Sequence, residues 1–303
     1  IDHLITAIKV DPRYQTADEQ LPFVNPKTTN DWLQVLKHSK LQPDIALTPV
    51  TEQQSKAMQQ MEKRFRSLVY TPAKLYPKQM ETLRDKFDAY KIREKKGNIT
   101  GMPIWFVRHA EAYERMLPKW DKEILTRTGY EMNDYFKLMQ QIAIGYNNAK
   151  EEEDKKELQG MFLLMYEHIT DQGVTWGSCW GNIHHYGYSL RSMYIAYFLM
   201  KDVLKAAGKL SEAVATMTWY SQLKQLYVKP TVNGMDMDTF NTASIGCMAS
   251  ILLMDDSPEK LQYVRSCSRW LDWGCRPAPG LMDSFKIDGS AYHHCNNYPA
   301  YAI

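Results

Sequence analysis

Two stretches of the chain gather residue types that move protons and grip polar ligands. The first runs Trp176-Gly-Ser-Cys-Trp180-Gly-Asn182-Ile-His184-His185-Tyr186-Gly187-Tyr188-Ser-Leu-Arg191. Its glycines let backbone approach a ligand closely, and polar and aromatic residues at a helix start are typical of binding loops. The second runs Asp288-Gly-Ser-Ala-Tyr292-His293-His294-Cys-Asn296-Asn297-Tyr298-Pro299-Ala-Tyr301. Pro299 forbids a regular helix through it and pushes Tyr298 toward extended geometry. A histidine near a tyrosine can share a proton with it. A tyrosine serves as base or acid once a cation lowers its pKa from about 10. Adjacent residues on a helix point about 100° apart, so His184 and His185 do not serve one metal from a helix. Such a pair also arises with one ring packed and the other solvated. The two histidine pairs together fit no standard zinc spacing.

A third histidine competes for attention. Ile104-Trp-Phe-Val-Arg108-His109-Ala-Glu111 is an apolar run ending in Arg-His, and it resembles the histidine phosphatase motif, in which the His carries a phosphoryl group and the Arg holds it. That family also needs an alternating α/β domain and a second catalytic His. The region after His109 reads as helical, and no His-Gly pair occurs. A structural turn with an Arg and a His at a helix edge accounts for the same residues.

The elements that must position these blocks are mostly helices. Thr51 to about Lys96 is rich in Gln, Lys, Glu, Met and Leu, all good helix formers, and Pro72 and Pro77 divide it. Gly97 and Gly101 mark a loop. Helices follow near 127–149 and 151–171. In the second, Leu158, Phe162, Met165 and Ile169 share one face; Met193, Tyr197, Met200 and Leu204 repeat the spacing. Further helices are predicted near 211–226, 239–254 and 258–273, with Gly173, Gly208, Gly234 and Gly274 near their ends as stop signals. Residues 1–48 differ. Ile5–Val10 alternates weakly as one strand would, and Pro12, Pro22, Pro26 and Pro43 keep the rest extended. A lone strand buries no face, so the segment reads as the tail of a β domain plus a linker. The helix train packs pairwise into a bundle, solenoid or toroid, without a strict repeat.

Composition excludes several classes. The chain has 303 residues, 44% hydrophobic and 24% charged, which is ordinary globular usage. A net charge of +2, from 37 basic and 35 acidic residues, does not mark a nucleic-acid binder. No apolar run is long enough to span a bilayer. The five cysteines include no CxxC pair, and the odd count leaves one thiol unpaired within the chain. Aromatics reach 12%, and such rings line sugar-binding clefts as well as cores. The chain opens on Ile1-Asp2-His3 with no start Met and no signal peptide, as a fragment or processed protein would.

The order and separation of the two blocks, with Phe240-Asn241-Thr242 between them and Asp11-Pro12-Arg13-Tyr14-Gln15 near the start, resemble the chondroitinase ABC branch of polysaccharide lyase family 8, its Bacteroides-type members above all. The resemblance covers nearly the whole chain. It implies an all-α fold, an incomplete (α/α) toroid of helical hairpins over 49–303. Residues 1–48 would be the extended tail of a missing N-terminal β domain.

It also implies chemistry: β-elimination on chondroitin and dermatan sulfates, leaving a 4,5-unsaturated uronate. A His and a Tyr of the family map onto His294 and Tyr301, and His185, assisted by His184, would act on the iduronate epimer. Asn241, with the same two histidines, would neutralise the substrate carboxylate. Arg191, Trp176, Trp180, Asn297 and His293 are the further candidates for gripping sulfate or sugar. The family's Arg and Glu lie beyond Ile303, so the 303-residue chain alone is expected to be inactive until joined by the missing C-terminal part. No cofactor is required, although a divalent cation such as calcium modulates some relatives. A sulfated polysaccharide partner implies a secreted, periplasmic or surface enzyme. A non-catalytic helical sugar-binding module is the alternative from another class; it would bind chondroitin without turnover.

Overall fold

The computed structural model describes residues 37–105, 130–178, 186–228, 233–293 and 296–297. The weak strand at Ile5–Val10 and the Arg108-His109 motif lie outside them. In chain order the elements are α1 (Glu52–Val69), α2 (Pro77–Ala89), β1 (Arg93–Lys95), β2 (Asn98–Thr100), β3 (Ile104–Trp105), β4 (Tyr130–Glu131), α3 (Met132–Asn148) and α4 (Glu152–Asp171). There follow α5 (Tyr186–Ser189), α6 (Arg191–Leu199), α7 (Lys201–Ala206), α8 (Leu210–Tyr220), a 3-10 turn (Leu223–Tyr227), α9 (Met237–Leu253), α10 (Pro258–Gly274), β5 (Ser284–Phe285), β6 (Ala291–His293) and β7 (Asn296–Asn297). The described part is mostly helical, with strand fragments and no closed sheet, as a partial array of helical hairpins would be.

The chain divides into two compact units. Among the described residues the first holds 72–105 and 130–178, built on the α3–α4 hairpin. Leu158, Phe162, Met165 and Ile169 are all fully buried there, as their spacing predicts, each contributing about 1.5–3 kcal/mol through burial. Pro77 opens α2 at its first turn, where a missing N–H costs nothing. Arg84 of α2 grips Glu157 of α4 through two hydrogen bonds of 2.5 and 2.7 Å. Beyond α2 the structure departs from the helix predicted through Lys96: Arg93–Lys95 and Asn98–Thr100 form an antiparallel hairpin.

His168 of α4 is buried beside Tyr135. The Tyr135 hydroxyl donates to the Met165 carbonyl at 2.8 Å, so the 3.1 Å contact with His168 Nδ1 is an N–H donated to the phenol oxygen. Nε2 then carries the lone pair, with no hydrogen-bond partner among the described residues. Burial holds this imidazole below its ordinary pKa, and it does the same to His38 of the second unit, whose Nδ1 lies 2.7 Å from Gln222 Oε1. A histidine kept neutral by the fold contributes stability that is full above the unfolded value of about 6.5 and is lost as pH falls toward the lowered folded value. The thermal midpoint is therefore expected to decline as pH is lowered from 7 to 5. His168→Phe should flatten that slope whatever it does to the midpoint; an unchanged slope would remove His168 from the account.

The second unit holds 37–71, 186–228, 233–293 and 296–297. Met193, Tyr197, Met200 and Leu204 are buried as their spacing predicts. A core of Leu223, Leu226, Cys247, Ile251, Cys267 and Trp270 lies between the 3-10 turn, α9 and α10. The single helix expected over 211–226 is broken because Gln222 takes a left-handed φ of 52°. Gly173 and Gly208 follow helices with positive φ, as stop signals should; Gly234 instead sits in the loop before α9, and Gly274 is the last residue of α10.

The C-terminal end of α9 is held by two lysines. Lys201 Nζ donates to the carbonyls of Leu252 and Met254 at 2.9 and 3.1 Å and lies 3.3 Å from Glu62 of α1. Lys260, its side chain 1% exposed, donates to Met254 O at 3.0 Å and to Asp256 at 2.9 Å. Cations at a helix C-terminus satisfy orphan carbonyls and oppose the helix dipole.

Candidate functional site

The opposite end of α9 is where the two sequence blocks meet. Asp236 caps the helix, its Oδ1 accepting the Thr239 N–H at 2.7 Å; an aspartate there also suits the positive end of the dipole. Asp238 and Asn241 follow at helical spacing, so both project near one side of the first two turns. Phe240, between them, stacks on Trp270 of α10 at 5.5 Å and meets Phe285 of β5 edge-on at 6.1 Å. These rings fix how α9 lies against α10 and the small sheet.

From the first block, α5 packs directly on this helix start. The Tyr188 hydroxyl donates to Asp238 Oδ1 at 3.3 Å. Gly187 lies so close that a Cβ there would stand 1.9 Å from the Thr242 carbonyl oxygen. From the second block comes His293, at the end of β6 and 3% exposed. Its Nδ1 lies 3.1 Å from Asp283 Oδ2 and 3.7 Å from Asp236 Oδ2, and its Nε2 lies 4.0 Å from Asp238 Oδ2. Tyr188, Asp238 and His293 thus link the blocks through α9. Next to Asp283, Ser284 is fully buried with φ 128°, a conformation that strains a residue with a Cβ. The antiparallel β5–β6–β7 sheet sets the register, pairing Ser284 with Tyr292 and Tyr292 with Asn297.

Asp236, Asp283 and His293 each offer one ligand atom, and the three lie within 4.8 Å of one another. Bond lengths of about 2.0–2.6 Å place two ligands of one ion up to about 5 Å apart, so the spacing fits a divalent cation. Two carboxylates and an imidazole suit manganese, zinc or, with added oxygens, calcium.

The sequence candidates are distributed as follows. His293 is at the centre of the cluster. Asn241 lies in the second turn of α9, half-buried, and Arg191 is exposed at the first residue of α6. Asn297 is exposed on β7. Trp176, 58% exposed, belongs to the first unit, in the turns that follow α4. Trp180, His184, His185, His294 and Tyr301 lie outside the described residues. Sequence reasoning missed Asp236, Asp238 and Asp283, and noted Tyr188 only as a member of the first block. The Asp-Met-Asp pair before an apolar helix was a visible cap signal, but nothing local connected it to His293, 55 residues further along the chain.

Comparison with known proteins identifies the family of the chain. The family described as "Lyase, catalytic" matches residues 45–303. The chain is 60% identical to the chondroitin sulfate ABC exolyase of Bacteroides thetaiotaomicron over 304 residues, which is all of this chain and 30% of that protein. It is 34% identical to the chondroitin sulfate ABC endolyase of Proteus vulgaris over 175 residues, 57% of this chain and 17% of that protein. Against the chondroitin sulfate ABC exolyase of Proteus vulgaris it is 24% identical over 316 residues, 99% of this chain and 32% of that protein. The chain therefore spans about a third of the exolyases it matches. It belongs to the polysaccharide-lyase catalytic-domain family and is closely related to the chondroitin sulfate ABC lyases.

Proposed function

We propose that this chain forms part of a glycosaminoglycan lyase that cleaves chondroitin and dermatan sulfates by β-elimination. One observation carries the reading beyond family membership: two blocks far apart in sequence, each rich in His, Tyr and Asn, converge on the start of α9 through Tyr188, Asp238 and His293. The C5 proton of a uronic acid is weakly acidic, so its carboxylate must be neutralised before the proton leaves. Donors held against that carboxylate stabilise charge as it develops. Asn241, His184 and His185 take this role. Tyr301, acting with His294, removes the proton from glucuronate and returns it to the leaving oxygen. Iduronate presents the proton from the opposite face; there His185, assisted by His184, is the base and Tyr301 the acid. Arg191, Trp176, Trp180 and Asn297 are proposed to grip sulfate groups and sugar rings, while His293, buried among Asp236, Asp238 and Asp283, acts within the acidic cluster rather than on the sugar. The polymeric substrate places the protein outside the cytoplasm. Among the described residues no helix is long and apolar enough to cross a membrane. Catalysis is proposed to need residues from a further C-terminal segment, and residues 1–48 to close a preceding β domain.

The test is spectroscopic. Each β-elimination creates a conjugated unsaturated uronate, so ultraviolet absorbance should grow during digestion by the longer protein carrying this chain. Saturated, hydrolytic products would end the lyase reading. His185→Ala is expected to reduce dermatan sulfate cleavage by about 10²-fold or more, as loss of a general base does, while changing chondroitin sulfate cleavage far less. Equal losses would leave His185 as a binding residue only.

Asp236, Asp283 and His293 would hold a divalent cation. When bound, it would neutralise the gathered carboxylates and stiffen the β5–β6 turn against α9. Chelation is expected to lower the thermal midpoint, and added calcium or manganese to restore it, since an ion that binds only the folded state stabilises it by mass action. Asp283→Asn should abolish that response. A variant that still responds fully would place the ion elsewhere.

A further inference from the structure

The first unit carries a charge pattern that the proposed reaction leaves unused. Lys91, Arg93, Lys95 and Lys96 put four cations within six consecutive positions, all exposed, on and beside the β1–β2 hairpin. Several other surface cations are matched: Lys56 with Glu52, Arg84 with Glu157, Lys205 with Asp255, Arg269 with Asp44. None of the hairpin's four makes an ion pair with a described carboxylate. The single acid among them, Glu94, turns its Oε1 into the loop, where it accepts the Gly97 N–H at 2.5 Å.

The hairpin is also built to hold these charges still. Its base is closed by Met102 N–H donating to the Tyr90 carbonyl at 2.8 Å, and the fully buried Ile92 anchors it. Pairing of Lys95 with Asn98 leaves Lys96 and Gly97 as a two-residue loop, with φ of 54° and 80°. That is the type I′ geometry, in which Asn-Gly is the favoured pair. Lysine stands where asparagine would be cheaper, and Lys91 is likewise at φ 53°. Two of the four cations therefore sit at positions whose backbone disfavours them. Arg93 and Lys95 alternate with Glu94 along β1, so they share a face about 7 Å apart.

We infer that the β1–β2 hairpin is a docking surface for the sulfated polysaccharide chain, additional to the groups gathered at the start of α9. The identity of the chain rests on the lyase reading; the demand for a polyanion rests on the hairpin. A row of fixed cations complements a polymer with regularly repeated sulfate and carboxylate groups. The hairpin has no aromatic residue on which a nucleic-acid base could stack, and no exposed large apolar side chain to enter a bilayer.

The experiment measures binding of the full chain to immobilised chondroitin 4-sulfate across a salt series. Wild type is compared with the triple variant R93Q/K95Q/K96Q and with K56Q/K63Q/K78Q, which removes the same charge from helices α1 and α2. The hairpin triple should lose about tenfold or more in affinity near 0.1 M salt, with a shallower salt slope, because released counterions scale with the phosphate-like charges neutralised. The helix triple should stay within about twofold. Lys96→Asn serves as a second variant: it should raise the thermal midpoint by suiting the turn, yet weaken binding. Equal losses in both triples, no binding by wild type, or tighter hairpin-dependent binding to duplex DNA or to phosphatidylserine vesicles would overturn the inference. Hairpin-dependent binding without ultraviolet-absorbing products from the longer protein would sink the lyase reading alone. Normal turnover with binding indifferent to the hairpin would sink the docking surface alone.

Discussion

Tyr301→Phe is expected to lower turnover of chondroitin sulfate and dermatan sulfate together, by about 10²–10⁴-fold, the range for losing a positioned proton carrier. The substitution removes one oxygen and leaves the ring, so packing is nearly unchanged and KM should move little. Both substrates suffer because the phenol has two duties: it is the base for glucuronate, and the acid that protonates the leaving oxygen for either epimer. His294→Ala should fall with it, since a phenol of pKa about 10 is a poor base at neutral pH without a neighbour to share its proton. Losses from the two single changes should overlap rather than multiply in the double variant. A Phe variant that keeps more than about a tenth of wild-type turnover on both substrates, below the loss expected for a proton carrier, would show that the proton travels by another group.

The second large effect concerns a backbone contact. Gly187→Ala would force a methyl group to within 1.9 Å of the Thr242 carbonyl oxygen, with the carbonyl carbon at 2.4 Å. Neither atom belongs to a side chain that can swing away, so α5 and α9 must separate. Overpacking of this kind costs about 1–3 kcal/mol, occasionally more, and a clash with backbone belongs at the upper end. Activity should fall further than stability, because Gly187 lies two residues beyond His185 in the chain and opposite the α9 turn that bears Asn241. Gly160→Ala, in the middle of α4, is the control. Among the described residues nothing lies within 4 Å of its added Cβ, so it should stabilise by about 0.5–1 kcal/mol through helix propensity alone. Comparison of the two thermal midpoints, with turnover of the Gly187 variant assayed in the longer protein, checks both. A Gly187→Ala protein as stable and active as wild type would mean that α5 does not set the position of the first block.

These contrasts show what local sequence could and could not reveal. Helix faces are written in side-chain spacing, and Leu158, Phe162, Met165 and Ile169 are buried as that spacing requires. The Thr51 and Ser257 caps and the prolines at Pro77 and Pro258 mark helix starts in the same local way. The β1–β2 hairpin was not legible, because three-residue strands of Arg, Glu, Lys, Asn, Ile and Thr carry no alternating apolar pattern. The break at Gln222 had no glycine or proline to announce it. The candidate site was legible in its residue types but not in its assembly. His293 and Asn241 drew attention through their surroundings and a family resemblance, whereas the meeting of Asp236, Asp238 and Asp283 around that histidine is a product of tertiary packing.

The lysine clamp at the far end of α9 has a consequence for how such a protein can change over generations. One helix presents a chemical end, ringed by loops and short strands, and an anchoring end, where Lys201 of α7 and Lys260 of α10 hold the Leu252 and Met254 carbonyls. Variation in the loops near Asp236 and Asp283 leaves the fastened end untouched, so new ligand preferences can be tried without loosening the scaffold. Loss of Lys201 would take the lysine donor from the Leu252 carbonyl, and loss of both lysines would take it from Met254 as well, which no loop change at the other end could replace. Drift should therefore be tolerated in the loops around the acidic end of α9 and purged at its basic end.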